Sequence, residues 1–435
     1  MPIVIRVLVS FASLLLAAHA LRMGNLGLFG AILWCTALLY TRYAWARLVL
    51  MCIMVAGAIN WLLVGHDLIL FRHMANAPWV RLCFIMTTVL ALTVSALAVL
   101  ATPTAKTLFP RQNEAARAQA GAFVLTIALL EAVRSMAPFP LLLVDRFFPG
   151  WGQLEIIFLA TYAAWVAGRL LNRTTARQTR RYTWALFSTA FFAQLFLGLA
   201  GISRMLMTGT LHLPVPALIL AGPIYRGQGY FMLILFSASV LILGPAWCSR
   251  LCYIGAWDDI SCRRMMPGKM GLGGRPVAWR TVTLVFTVGM AAFFGWKQAS
   301  PTVAVSVAAG FGLIGLAFMA ASSRNGHMLH CTLWCPMGLI ANIWGKLSPW
   351  RIIISQDCTA CGACSRVCRY DALTALDLER KKPGLACTLC GDCIGVCNKN
   401  HIGYGIYNRS SRKAEHVFLA LAAGLHAVFL GVARI

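Results

Sequence analysis

Acidic residues are scarce in this chain. Only 13 Asp and Glu occur in 435 residues, and charged residues of both signs make up 12%. Soluble domains usually carry about twice that, roughly 25%, so most of this surface is not made for water. Several motifs are also missing. The chain has no C-x-x-C-H for covalent haem, no nucleotide-fold signature, no nucleophile constellation and no mononuclear catalytic metal motif. It has no arginine-rich tail and no nucleic-acid motif, although 38 Lys and Arg give a formal net charge of +25. Nucleic acid is therefore excluded as a partner. The basic residues sit in short stretches between apolar runs, where membrane topology and anionic lipid account for them.

Apolar residues make up 60% of the chain. Runs near twenty residues recur, each long enough to cross the hydrocarbon core. About eleven spans are expected, near 3–21, 25–41, 47–65, 79–100, 119–143, 152–171, 183–203, 229–247, 279–297, 301–321 and 415–433. The first run lacks a strong basic flank and further spans follow at once, so it reads as the first helix and not as a signal peptide. The stretches 42–47, 102–118, 169–182 and 248–280 carry about 16 Lys and Arg, against about 7 on the other side. By the positive-inside rule they are cytoplasmic, with the amino terminus inside and the carboxy terminus periplasmic.

Asp357 to Asn398 holds the densest chemistry. Cys358, Cys361, Cys364 and Cys368 stand at C-x2-C-x2-C-x3-C, and Cys387, Cys390, Cys393 and Cys397 repeat that spacing. Three cysteines on a tight loop reach three irons of one cubane, and the fourth commonly ligates the other cluster. Cys358, Cys361, Cys364 and Cys397 are thus expected on one [4Fe–4S] cluster, and Cys387, Cys390, Cys393 and Cys368 on a second. Gly362 and Gly391 suit loops wrapped closely around an inorganic core. The proline that commonly follows the fourth cysteine is replaced by Arg369 and Asn398.

A second repeat is C-x3-C. Gly244 to Trp257 reads GPAWCSRLCYIGAW, and Leu329 to Asn342 reads LHCTLWCPMGLIAN. One helical turn separates Cys248 from Cys252 and Cys331 from Cys335, so each pair is expected to point one way. Four thiols meeting at the cytoplasmic membrane surface suit a soft metal, another Fe–S centre or two redox dithiols.

The stretch from about Arg181 to Tyr407 resembles the NapH/NosR/CcoG family of membrane ferredoxin-type proteins, with the order of its parts closest to NapH. The resemblance rests on WCSRLCYIGAWDD (Trp247 to Asp259), WCPMGLIANIWGKLSPWRI (Trp334 to Ile352) and the eight-cysteine segment. Tyr253 stands where the family has a proline. About six apolar helices precede the shared part and one follows it. The resemblance implies electron transfer between the quinol pool and partner redox proteins, or service in maturing a copper or molybdenum enzyme.

The expected fold is an all-α polytopic membrane protein of the bacterial inner membrane with a small cytoplasmic dicluster ferredoxin-like segment. Its parts are a six-helix region at 1–175, a four-helix core at 176–349, the cluster segment at 350–412 and a last helix at 413–435. The expected function is an electron relay between quinol or a cytoplasmic donor and a redox partner in the membrane or periplasm. The alternative is an assembly or metal-reduction factor whose C-x3-C thiols handle the metal.

Other residues carry weaker signals. Glu131 and Arg134 lie at i and i+3 inside an apolar run, about 18 Å from its start by helical rise. Ionisable groups at such depth usually face a bundle interior, so they read as a quinol or proton site or as an ion pair locking helices. His19, His66, His73 and His212 fall at the external face without the placement of a haem pair. His327 and His330 precede the second thiol motif and could tune it. Cys35, Cys52 and Cys83 sit singly in apolar runs as core residues. Cys262 stands beside Arg263 and Arg264, which could lower its pKa. Pro214 to Ile224 is apolar but too short to span, and suits a re-entrant segment where a quinol or a periplasmic partner docks.

Overall fold

The structure, a computed structural model, describes residues 2–112, 114–206, 213–267, 275–407 and 409–432. The chain divides into two compact units. The first comprises Met1–Gly168 together with Ala423–Val432. Its helices are α1 (Pro2–Arg22), α2 (Leu26–Ala37), α3 (Ala44–Met74), α4 (Val80–Ala101), α5 (Pro103–Leu108), α6 (Ala116–Met136), α7 (Leu143–Phe147) and α8 (Gly152–Leu171). Its core gathers Ile5 and Val9, Val49, Leu50 and Met54, Phe123, Ala160 and Ala164, all at most 1% exposed.

The second unit comprises Arg169–Ala422. Its helices are α9 (Arg173–Leu199), α10 (Leu218–Arg226), α11 (Phe231–Leu243), α12 (Trp247–Arg250), α13 (Tyr253–Cys262), α14 (Arg275–Trp296), α15 (Pro301–Asn325) and α16 (Pro336–Trp344). Strand β1 (Trp350–Ile354) then opens the cysteine-rich segment, which contains the short helices α17 (Ala375–Glu379) and α18 (Asp392–Gly395) and ends with β2 (Ile402–Ile406) and β3 (Arg409–Ser410). The strands pair antiparallel in the order β1-β2-β3, with Trp350 opposite Ile406 and Ile354 opposite Ile402. Burial alternates along β1, with Trp350, Ile352 and Ile354 inside, as a half-buried strand requires. This sheet closes the cysteine segment at both ends and departs from an all-α reading. The last helix, α19 (Arg412–Val432), belongs to the second unit up to Ala422 and to the first from Ala423.

Ten helices among the described residues are long and apolar enough to cross a membrane, and not about eleven. The expected span 25–41 is the shorter one. Helix α2 has 12 residues and tightens into a 3₁₀ turn at Leu38–Tyr40. At 1.5 Å per residue that reaches only about 22 Å, against about 30 Å of hydrocarbon. The span expected at 119–143 also stops early, because Pro138 restricts the residue before it and α6 ends at Met136. The basic stretch 169–182 is helical and not a loop: Asn172 caps α9, its side chain accepting from the Thr174 N–H. In α4 and α15 only 11% of the most apolar window is buried. Such faces would be costly against water and are suited to lipid.

Candidate iron–sulfur and thiol sites

Two loops of the cysteine segment share one backbone conformation. Ala360, Gly362 and Asp371 have φ of 51°, 73° and 52°, and Leu389, Gly391 and Asn400 have φ of 53°, 85° and 57°. Each pair is offset by the same 29 positions that separate Cys358 from Cys387. Left-handed backbone is uncommon outside glycine. Its recurrence at three matched positions marks two copies of one loop. At Gly391 the constraint is double, since an added Cβ would lie 2.2 Å from the Tyr404 hydroxyl.

The loops interlock. Burial pushes the Cys368 thiol up, and Cys390 and Cys387 of the second set push it further. Cys393 is also raised by burial, then by Cys390, Cys387, Cys368 and Cys364 in that order. Cys364 is raised by burial and by Cys358 and Cys361. The 365–367 turn, which leads into Cys368, packs on α18, which leads toward Cys397. Cys397 is the repeat counterpart of Cys368. Cys361 is exposed and Cys393 buried, and none of the eight is in a disulfide.

Residues 351–374 match the 4Fe-4S binding domain family. No curated protein matches the chain, and neither does any solved structure. The matched stretch holds Cys358, Cys361, Cys364 and Cys368. The chain therefore carries a ferredoxin-type 4Fe-4S domain behind its apolar helices. Among the described residues no three His, Cys, Asp or Glu side chains draw together as ligands of a single ion. Free thiols on a repeated wrapping loop fit a cubane, which spaces its ligands by its own irons and sulfides, better than they fit one zinc ion.

Polar anchors hold this segment to the helices of its unit, and the sequence reading missed them. Arg369 stands at the expected proline position. It is buried, and its Nη1 donates to the carbonyls of Cys262 at 3.2 Å, Met265 at 2.7 Å and Gly326 at 2.8 Å. Asp392, inside the second loop, accepts from Arg180 of α9 at 2.9 and 3.1 Å and from Arg263 at 3.1 Å. Burial would raise the Asp392 carboxyl, but Arg180 and Arg263 outweigh it and hold the group below its ordinary value. Arg263 also forms a two-point pair with Asp259 at 2.7 and 2.8 Å. Arg250 donates to the Cys390 carbonyl and the Tyr404 hydroxyl. The signal was available in the scarcity of acids: Asp392 lies between Cys390 and Cys393, and Asp258 and Asp259 follow Cys252 by six and seven positions.

The C-x3-C motifs also meet. Cys248 lies on α12, Cys252 caps α13, Cys331 lies in the π turn His330–Trp334, and Cys335 caps α16. The pairs do not share one unbroken helical turn, as the spacing suggested. The backbone turns extended at each second cysteine, with ψ of 117° at Cys252 and 114° at Cys335, and a new helix starts. Proline suits that first position and Pro336 occupies it. Tyr253 takes the matching place in α13 and stacks its ring on Phe191 with centroids 4.0 Å apart. The motifs are tied together by Asp258 of α13, which accepts from the Cys331 N–H at 3.0 Å and the Ser322 hydroxyl at 2.6 Å. Burial pushes Asp258 up to about 7 against these two donors. Cys331 is raised by burial, and then by Asp258 and the other three thiols.

The remaining candidates separate. Arg134 pairs with Asp145, at 2.6 and 3.2 Å, more closely than with Glu131 at 3.8 Å. Asp145 also accepts the Gly152 N–H, so this cluster joins α6, α7 and α8. His19 packs on Trp61, His66 faces Asp67 in the open, and His73 lies in the last turn of α3. His212 lies outside the described residues. His327 bonds Asn325 and His330 bonds the Gly315 carbonyl. Cys35 is buried, Cys83 half-buried and Cys52 exposed. Burial, with Asp259 and Asp258 behind it, pushes Cys262 up to about 12 and outweighs the arginines beside it. The 214–224 stretch leads into and forms most of α10 (Leu218–Arg226), which walls a cavity of about 610 Å³ with α14 and α15. Phe311, on the cavity wall, lies 4.5 Å from the ring of Trp334, next to Cys335.

Proposed function

We propose that this chain is a membrane-bound iron–sulfur electron-transfer protein with two [4Fe–4S] clusters. One would be held by Cys358, Cys361, Cys364 and Cys397, and the other by Cys387, Cys390, Cys393 and Cys368. The shared left-handed positions of the two loops carry this reading. The second loop copies the first, and the first lies in the matched 4Fe-4S domain. Each cluster, when bound, would accept and release one electron. The chain's own part is to fix the thiols, shield the second site through Arg180, Asp392 and Arg250, and leave Cys361 open to a donor or acceptor in water.

The resemblance to the NapH/NosR/CcoG family and the basic stretches support a place in a bacterial inner membrane, with the cluster segment cytoplasmic. They also support quinol as an electron donor and a redox enzyme as partner. The α10–α14–α15 cavity suits a quinol head group better than Glu131 and Arg134 do, because Arg134 is committed to Asp145. Metal handling, the competing reading, needs thiols that exchange their cargo, and the burial of Cys248, Cys252 and Cys335 weighs against it.

The test is a redox titration followed by EPR on detergent-purified protein, with Cys361→Ser and Cys390→Ser alongside. At least two interacting cubane signals are expected, each variant disturbing a different one. A single cubane in well-loaded protein would overturn the two-cluster reading.

A further inference from the structure

Arg280 needs a partner. It projects from α14, is 2% exposed, and donates through Nε to the Pro276 carbonyl at 3.3 Å. Its Nη2 has no hydrogen-bond partner, and among the described residues no carboxylate lies within ion-pair distance of it. A buried guanidinium is costly without a counter-charge. A Cβ built on Gly338 would stand 3.6 Å from the Arg280 Nη1 and 3.0 Å from the Cys331 carbonyl, so the guanidinium lies against the second thiol motif. Neutral thiols would not balance it, whereas metal-bound thiolates would.

The thiols are prepared for negative charge in a second way. Cys252 and Cys335 each sit at a helix start, where free N–H groups and the helix dipole favour a thiolate. Burial raises both thiols; against it, the Gly255 and Ile254 N–H groups act on the Cys252 sulfur, and those of Gly338 and Met337 on the Cys335 sulfur. Neither cysteine side chain forms a capping hydrogen bond, so the contribution is that of the helix-start dipoles. The two halves match in detail. A Cβ on Gly255 would stand 2.9 Å from the Cys248 carbonyl, and one on Gly338 3.0 Å from the Cys331 carbonyl. Each motif is thus C-x3-C-x2-G, with the glycine letting the helix start fold back on its own first cysteine.

The quartet also adjoins the second ferredoxin loop. One apolar cluster built on Trp184, Met328 and Tyr370 has Cys331 packed on it together with Cys368, Cys387 and Cys390. Tyr370 is buried, its hydroxyl has no partner, and it feels the charge of both Cys331 and Cys390.

We propose that Cys248, Cys252, Cys331 and Cys335 bind a third iron–sulfur cluster, a cubane ligated by four thiolates, with Arg280 as its counter-charge. Four all-sulfur donors from two loops favour a soft centre. The four are free thiols, and they are not drawn together as single-ion ligands are. The inference rests on the electron-transfer reading and extends it from the ferredoxin segment toward the apolar helices.

Iron, acid-labile sulfide, zinc and copper are counted on the full chain, purified without oxygen and loaded with iron and sulfide. About twelve irons and twelve sulfides per chain are expected, by three cubanes at four each. Cys248→Ser with Cys335→Ser should remove about a third of both and leave the other signals. Eight irons in the parent and the same in the variant would overturn the third cluster while leaving the two-cluster relay intact. One equivalent of zinc or copper lost with the thiols would also overturn it. Arg280→Met provides an independent readout that keeps every sulfur. It should shift one EPR-detected potential downward and leave two unmoved, and three unmoved potentials would refute the role of Arg280.

Discussion

Arg369 replaces the proline that usually follows the fourth cysteine, and Arg369→Ala is the sharpest test of why. Its Nη1 faces three backbone carbonyls, on Cys262, Met265 and Gly326, at 2.7 to 3.2 Å. That nitrogen carries two hydrogens, so three acceptors share about two full bonds. A hydrogen bond from a charged donor contributes about 1.5–3 kcal/mol. Truncation would also strand carbonyls that are at least partly buried. A loss of about 3 kcal/mol is therefore a conservative figure, which is about a hundredfold in the equilibrium for lifting this segment off its helices. The assay is bleaching of the iron–sulfur absorbance under an iron chelator, in the regime where opening is fast and the rate follows the open population. Arg369→Ala should bleach about a hundredfold faster, and Arg369→Lys by less, since an ammonium can still reach some of the carbonyls. Arg369→Pro restores the usual residue but none of the bonds, and should behave like the alanine variant. Wild-type resistance in Arg369→Ala, or greater resistance in the proline than in the lysine variant, would refute the clamp.

Two further outcomes follow from the second loop. Gly391→Ala must place a methyl 2.2 Å from the Tyr404 hydroxyl at φ of 85°, whereas Gly362→Ala at φ of 73° meets nothing within 4 Å. The first should lose the iron of its cluster, while the second should only weaken its loop by about 1 kcal/mol, as iron counts and chelator half-lives on both variants would reveal. Asp392→Asn leaves Arg180 buried without its main counter-charge, a loss of about 3–5 kcal/mol. Adding Arg180→Met should recover part of the lost thermal stability, and an additive double mutant would remove the pairing from the account.

What the sequence made legible was local. A cysteine spacing of 2-2-3 specifies a loop that wraps a cube, and the structure gives both copies that loop down to their left-handed positions. Long apolar runs fix helices by length alone, and most of the expected spans are found. The misses come from effects that spacing does not encode. The five arginines of 169–182 read as a cytoplasmic connection between two apolar runs, yet Arg180 turns inward because an aspartate 212 positions away meets it. The span at 25–41 was apolar enough but too short once its end tightened into a 3₁₀ turn. Glu131 and Arg134 were read as a pair at i and i+3, while the better partner, Asp145, lay beyond the proline break.

The scarcity of acids ties these misses together. A chain with 13 carboxylates and 38 cationic side chains cannot pair most of its charge. Where it buries an acid, that choice costs desolvation and must be answered locally. Asp392 answers Arg180 and Arg263, Asp259 answers Arg263, and Asp258 ties one thiol motif to the other. All three sit within or just after a C-x-x-C or C-x3-C motif. They join the cysteine loop, the α9 start and the two thiol motifs into one polar scaffold. Burial of that scaffold means that loss of Asp259 or Asp392 leaves an arginine short of counter-charge, and loss of Asp258 strands the Cys331 N–H and the Ser322 hydroxyl beside a thiol site. Loosening of the nearest cluster should therefore precede unfolding of the helices, in the order set by which acid is removed.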